Sequence, residues 1–118
     1  RLSQEGYRLT IASSRSHRSL MEFIESMNLQ EVLTFVLGAD DVIQAKPHPE
    51  PVLRTLEKFG CQASEALVVG DTAYDIEMGR RAGARTCGVT YGNGSRAELA
   101  RAGVDFLIDD FGELLDIV

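Results

Sequence analysis

The stretch Gly70-Asp71-Thr72-Ala73-Tyr74-Asp75 follows an apolar run, Ala66 to Val69, and opens a helical pattern. Two carboxylates four residues apart therefore stand where a strand ends and a helix begins. Such a turn is a hard oxygen site suited to Mg²⁺, which keeps several waters and is often held by one or two carboxylates plus a substrate phosphate. Two other places carry complementary chemistry. Ser13 and Ser14 close the apolar run Leu9 to Ala12, and Lys46 opens the proline-rich stretch Lys46-Pro47-His48-Pro49-Glu50-Pro51. A lysine supplies a point charge for phosphate. A hydroxyl and the N–H groups at a helix start add hydrogen bonds to phosphate oxygens. Hydroxyl, ammonium and paired carboxylates are parts for phosphoryl transfer, where catalysis is mostly positioning and charge stabilisation.

Each piece has a plainer reading. Gly-Asp at a strand–helix junction is often a turn and a cap. Asp75 alone is a first-turn acid favoured by the helix dipole. Ser13 alone is a loop hydroxyl, Lys46 a solvated lysine, His48 an exposed loop residue, and Arg15 and Tyr74 surface residues near the same edge. The joint pattern, in this order and with these strand contexts, says more than any member.

The elements that must position these residues follow from periodicity and punctuation. Residues 1–5 read as a helix tail ended by Gly6. Leu9 to Ala12 reads as a strand, and Ser16 caps a helix whose Leu20, Phe23, Ile24 and Met27 recur at helical spacing. Thr34 to Leu37 is a second strand. The proline-rich stretch cannot be regular at its start, and it opens a helix through Val52, Leu53, Leu56 and Phe59, closed by Gly60. Ala66 to Val69 is a third strand, Thr72 to Ala82 a helix and Thr86 to Val89 a fourth strand. Ser95 caps a helix to about Ala102, Phe106 to Ile108 is a fifth strand, and a last helix runs from about Phe111 to Ile117. Strands alternating with helices indicate an α/β fold: a doubly wound, largely parallel sheet with helices on both faces, in one core domain over residues 1–118. Ligands of such sheets bind beyond the carboxyl ends of the strands, which is where Ser13, Ser14, Lys46, Asp71 and Asp75 fall.

Composition narrows the classes. The 118 residues are 44% hydrophobic and 25% charged, enough for a real core without disulfides or structural metal. The formal net charge of −6 argues against nucleic acid, which wants a basic face, and mildly against anionic membranes. No apolar stretch approaches the roughly 20 residues of a membrane helix, and no signal peptide is visible. Cys61 and Cys87 lack metal-ligand spacing and read as reduced thiols of a cytoplasmic protein.

The residues resemble the haloacid dehalogenase superfamily of phosphohydrolases. Leu9 to Ser13 looks like its second motif, an apolar strand ending in Ser or Thr. Ala45 to Pro51 looks like its third, with Lys46 as the lysine. Gly70 to Asp75 looks like its GDxxxD metal motif. The match covers essentially the whole chain and is similar to the phosphoglycolate phosphatase, pyrophosphatase and β-phosphoglucomutase branch. The resemblance implies that Ser13, with the backbone of Ser14, binds the transferring phosphoryl group and that Lys46 offsets charge there. It implies that Asp71 ligates Mg²⁺ directly and that Asp75 supports the metal, directly or through water. The implied activity is that of a phosphatase acting on a small phosphorylated metabolite such as phosphoglycolate. Alternatives are a phosphomutase of the β-phosphoglucomutase type and a non-catalytic binding or regulatory module.

One departure stands out. The family's nucleophile lies in a DxDx(T/V) run, and no Asp-x-Asp pair occurs in these 118 residues. The α-helical cap domain of this branch is missing as well. With Arg1 in first position, the expectation is a core fragment of a longer protein, inactive alone. The missing strand would lie between the strand ending at Ser13 and that ending at Val69. Exposed strand edges invite pairing. One of three outcomes is expected: the flanking strands pair directly, another copy donates a strand, or the missing segment pairs as a separate chain.

Overall fold

The computed structural model describes residues 8–13, 15–28, 33–44, 46–92 and 94–116. The expected helix tail at residues 1–5, Gly6, Ser14 and Ile117 lie outside them. The chain divides into two compact units, Arg1–Ala45 and Lys46–Val118.

In the first unit, β1 (Leu9–Ala12) pairs in parallel with β2 (Leu33–Leu37), with a register irregularity between Leu9 and Thr10. Ser13 N–H continues the ladder by donating to the Leu37 carbonyl at 2.9 Å. Ser16 caps α1 (His17–Ser26), its hydroxyl accepting from Ser19 N–H at 3.2 Å. Leu20 and Ile24, one turn apart, are buried, whereas Phe23 and Met27 are 37% and 57% exposed. Of the four residues that recur at helical spacing, only the i, i+4 pair Leu20 and Ile24 is buried. Phe23 instead presents its ring to the Arg15 guanidinium, 5.0 Å from the centroid. The turn after β2 is a short 3₁₀ helix, Ala39–Asp41. It fastens to the start of α1. His17 N–H donates to Asp40 Oδ1 at 2.6 Å, and His17 Nδ1 lies 2.6 Å from Asp41 Oδ2.

In the second unit, β3 (Leu67–Gly70), β4 (Arg85–Val89) and β5 (Phe106–Ile108) form a parallel sheet in that order. Between β3 and β4 runs α3 (Ala73–Ala82), and between β4 and β5 runs α4 (Arg96–Arg101). The unit opens with α2 (Glu50–Phe59), closed by Gly60 at φ 62°, a left-handed backbone that suits glycine. Val52 of α2, Met78 of α3 and Ala84 form a buried cluster that Leu56, Ala66 and Val68 join. β4 is buried from Thr86 to Val89, as a strand covered on both faces should be. Thr86, fully buried, exchanges hydrogen bonds with Asp105 just ahead of β5. Its N–H and hydroxyl donate to Asp105 Oδ2 at 2.9 and 3.2 Å, and Asp105 N–H returns a bond to its Oγ1 at 3.1 Å. Both cysteines are free thiols.

The fold is α/β with parallel ladders throughout the described residues. The ladders are β1–β2 in the first unit and β3–β4–β5 in the second. One expectation needs correction. The last element, Phe111–Asp116, is a 3₁₀ helix. Glu113 accounts for this locally. Its carboxylate accepts the N–H groups of Asp109 and Asp110 at 2.7 and 3.1 Å, winding a tight turn around its own side chain.

Candidate active site

The turn after β3 carries both acids. β3 ends at Gly70, where even a methyl group would run into the Asp75 side chain. Asp71 and Thr72 follow, and α3 begins at Ala73. Thr72 Oγ1 accepts from Asp75 N–H at 3.4 Å. Asp75 Oδ2 accepts in return from Thr72 N–H at 3.3 Å and from the Thr72 hydroxyl at 2.9 Å. This is a reciprocal cap in which Asp fills the third helical position. The first-turn reading of Asp75 is thus realised, and the acid does more besides.

Lys46 reaches the same residue from the other end of the second unit's sequence. Its Nζ donates to Asp75 Oδ1 at 2.7 Å, and both side chains are largely buried. Lys46 is therefore not the solvated lysine of its plain reading. The loop that delivers it contains a cis peptide between Lys46 and Pro47 and places Pro51 in the first turn of α2. His48, expected as an exposed loop residue, is half-buried, and its Nδ1 accepts from Glu50 N–H at 3.0 Å. It thereby satisfies the first free N–H of α2 from just ahead of the helix.

Asp75 is only 7% exposed. Burial by itself pushes its carboxyl up. The hydrogen bond and charge of Lys46, with the hydroxyl and N–H of Thr72, outweigh this and hold it below its ordinary value of 3.8. Both carboxylate oxygens already have protein partners.

Asp71 is half-buried. Its carbonyl accepts from Gly94 N–H at 2.8 Å, which ties the turn after β4 to the turn after β3. The sequence signal for this tie is slight: two glycines, Gly92 and Gly94, just past a strand. Among the described residues, no three His, Cys, Asp or Glu side chains gather as a metal cage. Asp71 suits a cation of the open kind, which takes one carboxylate and fills its remaining positions with water and substrate oxygen.

Ser13 belongs to the first unit. Its Oγ accepts from Arg15 N–H at 3.1 Å, a local turn after β1. Ser14 lies outside the described residues. Of the five residues singled out by sequence, the structure brings Lys46 to the turn that carries Asp71 and Asp75.

A family model of haloacid dehalogenase-like hydrolases matches residues 1–89. The chain belongs to that family. Among the relatives of this chain, the pyrophosphatase PpaX of Bacillus cereus (strain AH820) is 34% identical over 117 residues, covering 99% of this chain and 54% of its own length. The phosphoglycolate phosphatase of Pectobacterium atrosepticum is 31% identical over 117 residues, covering 99% of this chain and 50% of its own. A crystal structure from Haemophilus somnus, described as a predicted phosphoglycolate phosphatase, superposes with a TM-score of 0.93 at 28% identity, over 98% of this chain and 52% of that one. The chain spans about half the length of the curated relatives it matches. Among the described residues no helix is long and apolar enough to cross a membrane.

Proposed function

We propose that the protein is a Mg²⁺-dependent phosphatase of a small phosphorylated metabolite, phosphoglycolate-like or pyrophosphate-like, and that this chain supplies its cation and phosphate groups. The observation that carries the reading is the buried contact of Lys46 with Asp75, one turn of backbone from Asp71. The names of the relatives support the same class of reaction.

Asp71 holds the cation, which when bound neutralises phosphate charge. Asp75 supports the site chiefly by fixing Lys46 and the start of α3. An ammonium anchored by a carboxylate can face a phosphoryl oxygen without the entropy loss of ordering a free lysine. By the family resemblance, Ser13, with the backbone of Ser14, is the part that hydrogen-bonds the transferring phosphoryl group. The 118 residues contain no Asp-x-Asp pair, so by the family resemblance the chain alone lacks the attacking carboxylate. Strand edges remain the proposed place for a segment that carries one.

The test is phosphate release from phosphoglycolate and from pyrophosphate by the gene product expressed from its natural start. Release should require Mg²⁺ and fall by about 100-fold or more in Asp71→Asn, the scale of losing one charge-stabilising group. No release from any small phosphate ester overturns the proposal. So does robust release by the 118-residue chain that Asp71→Asn abolishes, as regards the missing nucleophile.

A further inference from the structure

We propose that the turn after β4 is a positioning element for Asp71 and that Gly92 sets where its carboxylate lies. The inference rests on the reading of Asp71 as the cation-holding acid.

A Cβ at Gly92 would stand 2.5 Å from Asp71 Oδ2 and 2.8 Å from its Cγ, and closer still to Asp71 Cβ. All three of its nearest neighbours are therefore atoms of one side chain. Gly92 does not take the left-handed backbone that Gly60, Gly83 and Gly103 take. Backbone freedom is thus not what the position requires. Nor is interior packing, because Gly92 is exposed. Gly88 shows the contrast: a Cβ there would meet Leu99 and Leu107, an ordinary core reason for a small residue. At Gly92 the absent side chain makes room for one carboxylate.

Gly94 completes the grip. Its N–H donates to the Asp71 carbonyl at 2.8 Å, and a Cβ there would strike that same oxygen. The turn thus holds Asp71 twice, by a hydrogen bond on its backbone and by a bare backbone wall against its side chain. Rotation of the Asp71 side chain cannot relieve a methyl at position 92, because Asp71 Cβ, the nearest atom, is fixed by its own backbone. Either the turn backs away or the end of β3 gives. In both cases the carboxylate loses its wall, and it loses it at the group that meets the cation.

The probe is Mn²⁺, an oxygen-seeking stand-in for Mg²⁺, followed through the paramagnetic resonance signal of the free ion with the 118-residue chain. Gly92→Ala should weaken Mn²⁺ binding by about 10- to 100-fold, the range for lost supporting contacts around a ligand. Its thermal midpoint should move little. Gly60→Ala is the control. That glycine has φ 62° and a Cβ there would meet nothing within 4 Å, so the substitution strains the backbone away from the site. It should lower the midpoint and leave Mn²⁺ binding unchanged. If Gly92→Ala binds like the parent chain while Asp71→Asn does not bind, the role of Gly92 is overturned and the reading of Asp71 stands. Equal losses in Gly92→Ala and Gly60→Ala reduce the effect to general destabilisation and also overturn it. A parent chain that binds no Mn²⁺, or one in which Asp71→Asn changes nothing, removes the reading of Asp71 and this inference with it.

Discussion

The turn after β1 and the turn after β3 each end a parallel strand with a polar residue, yet they are built differently. Ser13 donates its N–H to the Leu37 carbonyl and its hydroxyl accepts from the N–H two residues on, and its neighbours Arg15 and Ser16 are exposed. Asp75 is held by a buried ammonium, a hydroxyl and an N–H. The first turn offers a hydroxyl that meets one neutral backbone N–H. The second is organised before any ligand arrives, because its charges already face each other. Where catalysis works by placing charge, a turn organised in this way fixes its electrostatics in advance.

Lys46→Met tests this difference most severely. Removing one partner of a largely buried ion pair leaves the other charge uncompensated, a loss of about 3 kcal/mol in urea unfolding. Lys46→Met/Asp75→Asn should lose less than Lys46→Met alone, since no charge is then stranded. A Lys46→Met loss below about 0.5 kcal/mol, the scale of an ordinary surface change, would dissolve the contrast between the turns.

Acid comes next. Asp75 titrates below 3.8 in the folded chain. Its contribution is therefore present above that value and lost as pH falls through the lower, folded one. Stability measured across this window should drop in the parent chain, and the drop should shrink in Asp75→Asn. An unchanged acid profile would mean that Asp75 does not carry the coupling.

Thr72→Ala removes the hydroxyl half of the reciprocal cap and should cost about 1 kcal/mol. Ser13→Ala should be the mildest, within about 0.5 kcal/mol in unfolding. Should Ser13→Ala cost as much as Thr72→Ala, the turn after β1 is no looser than its counterpart.

What could be read from sequence was whatever is decided within a turn or two of chain. β1 and β5 fall on the expected residues, Ser16 and Ser95 cap their helices, and Gly60 ends α2 with a left-handed backbone. These signals are local sterics and local hydrogen bonds. The Lys46–Asp75 contact joins residues 29 positions apart (75 − 46), and no spacing rule reports it. The reciprocal Thr72–Asp75 cap was nearer to legible, since a hydroxyl followed three residues later by an acid is a known helix start. The grip of Gly92 and Gly94 on Asp71 depends on two successive strands ending side by side, which strand order alone does not give. The narrow buried stripe of α1 and the tight final turn around Glu113 depend on what each element meets.

The Thr86–Asp105 exchange has a consequence of its own. β5 is three residues long, a length at which a strand at the margin of a sheet ordinarily frays. Three hydrogen bonds between Thr86 and Asp105 join the beginning of β4 to the residue just before β5. Peeling β5 away would expose a threonine hydroxyl and amide that are otherwise sealed from solvent. The two strands should therefore release their amide protons together, with Thr86 exchanging as slowly as the middle of β4 although it stands near that strand's end.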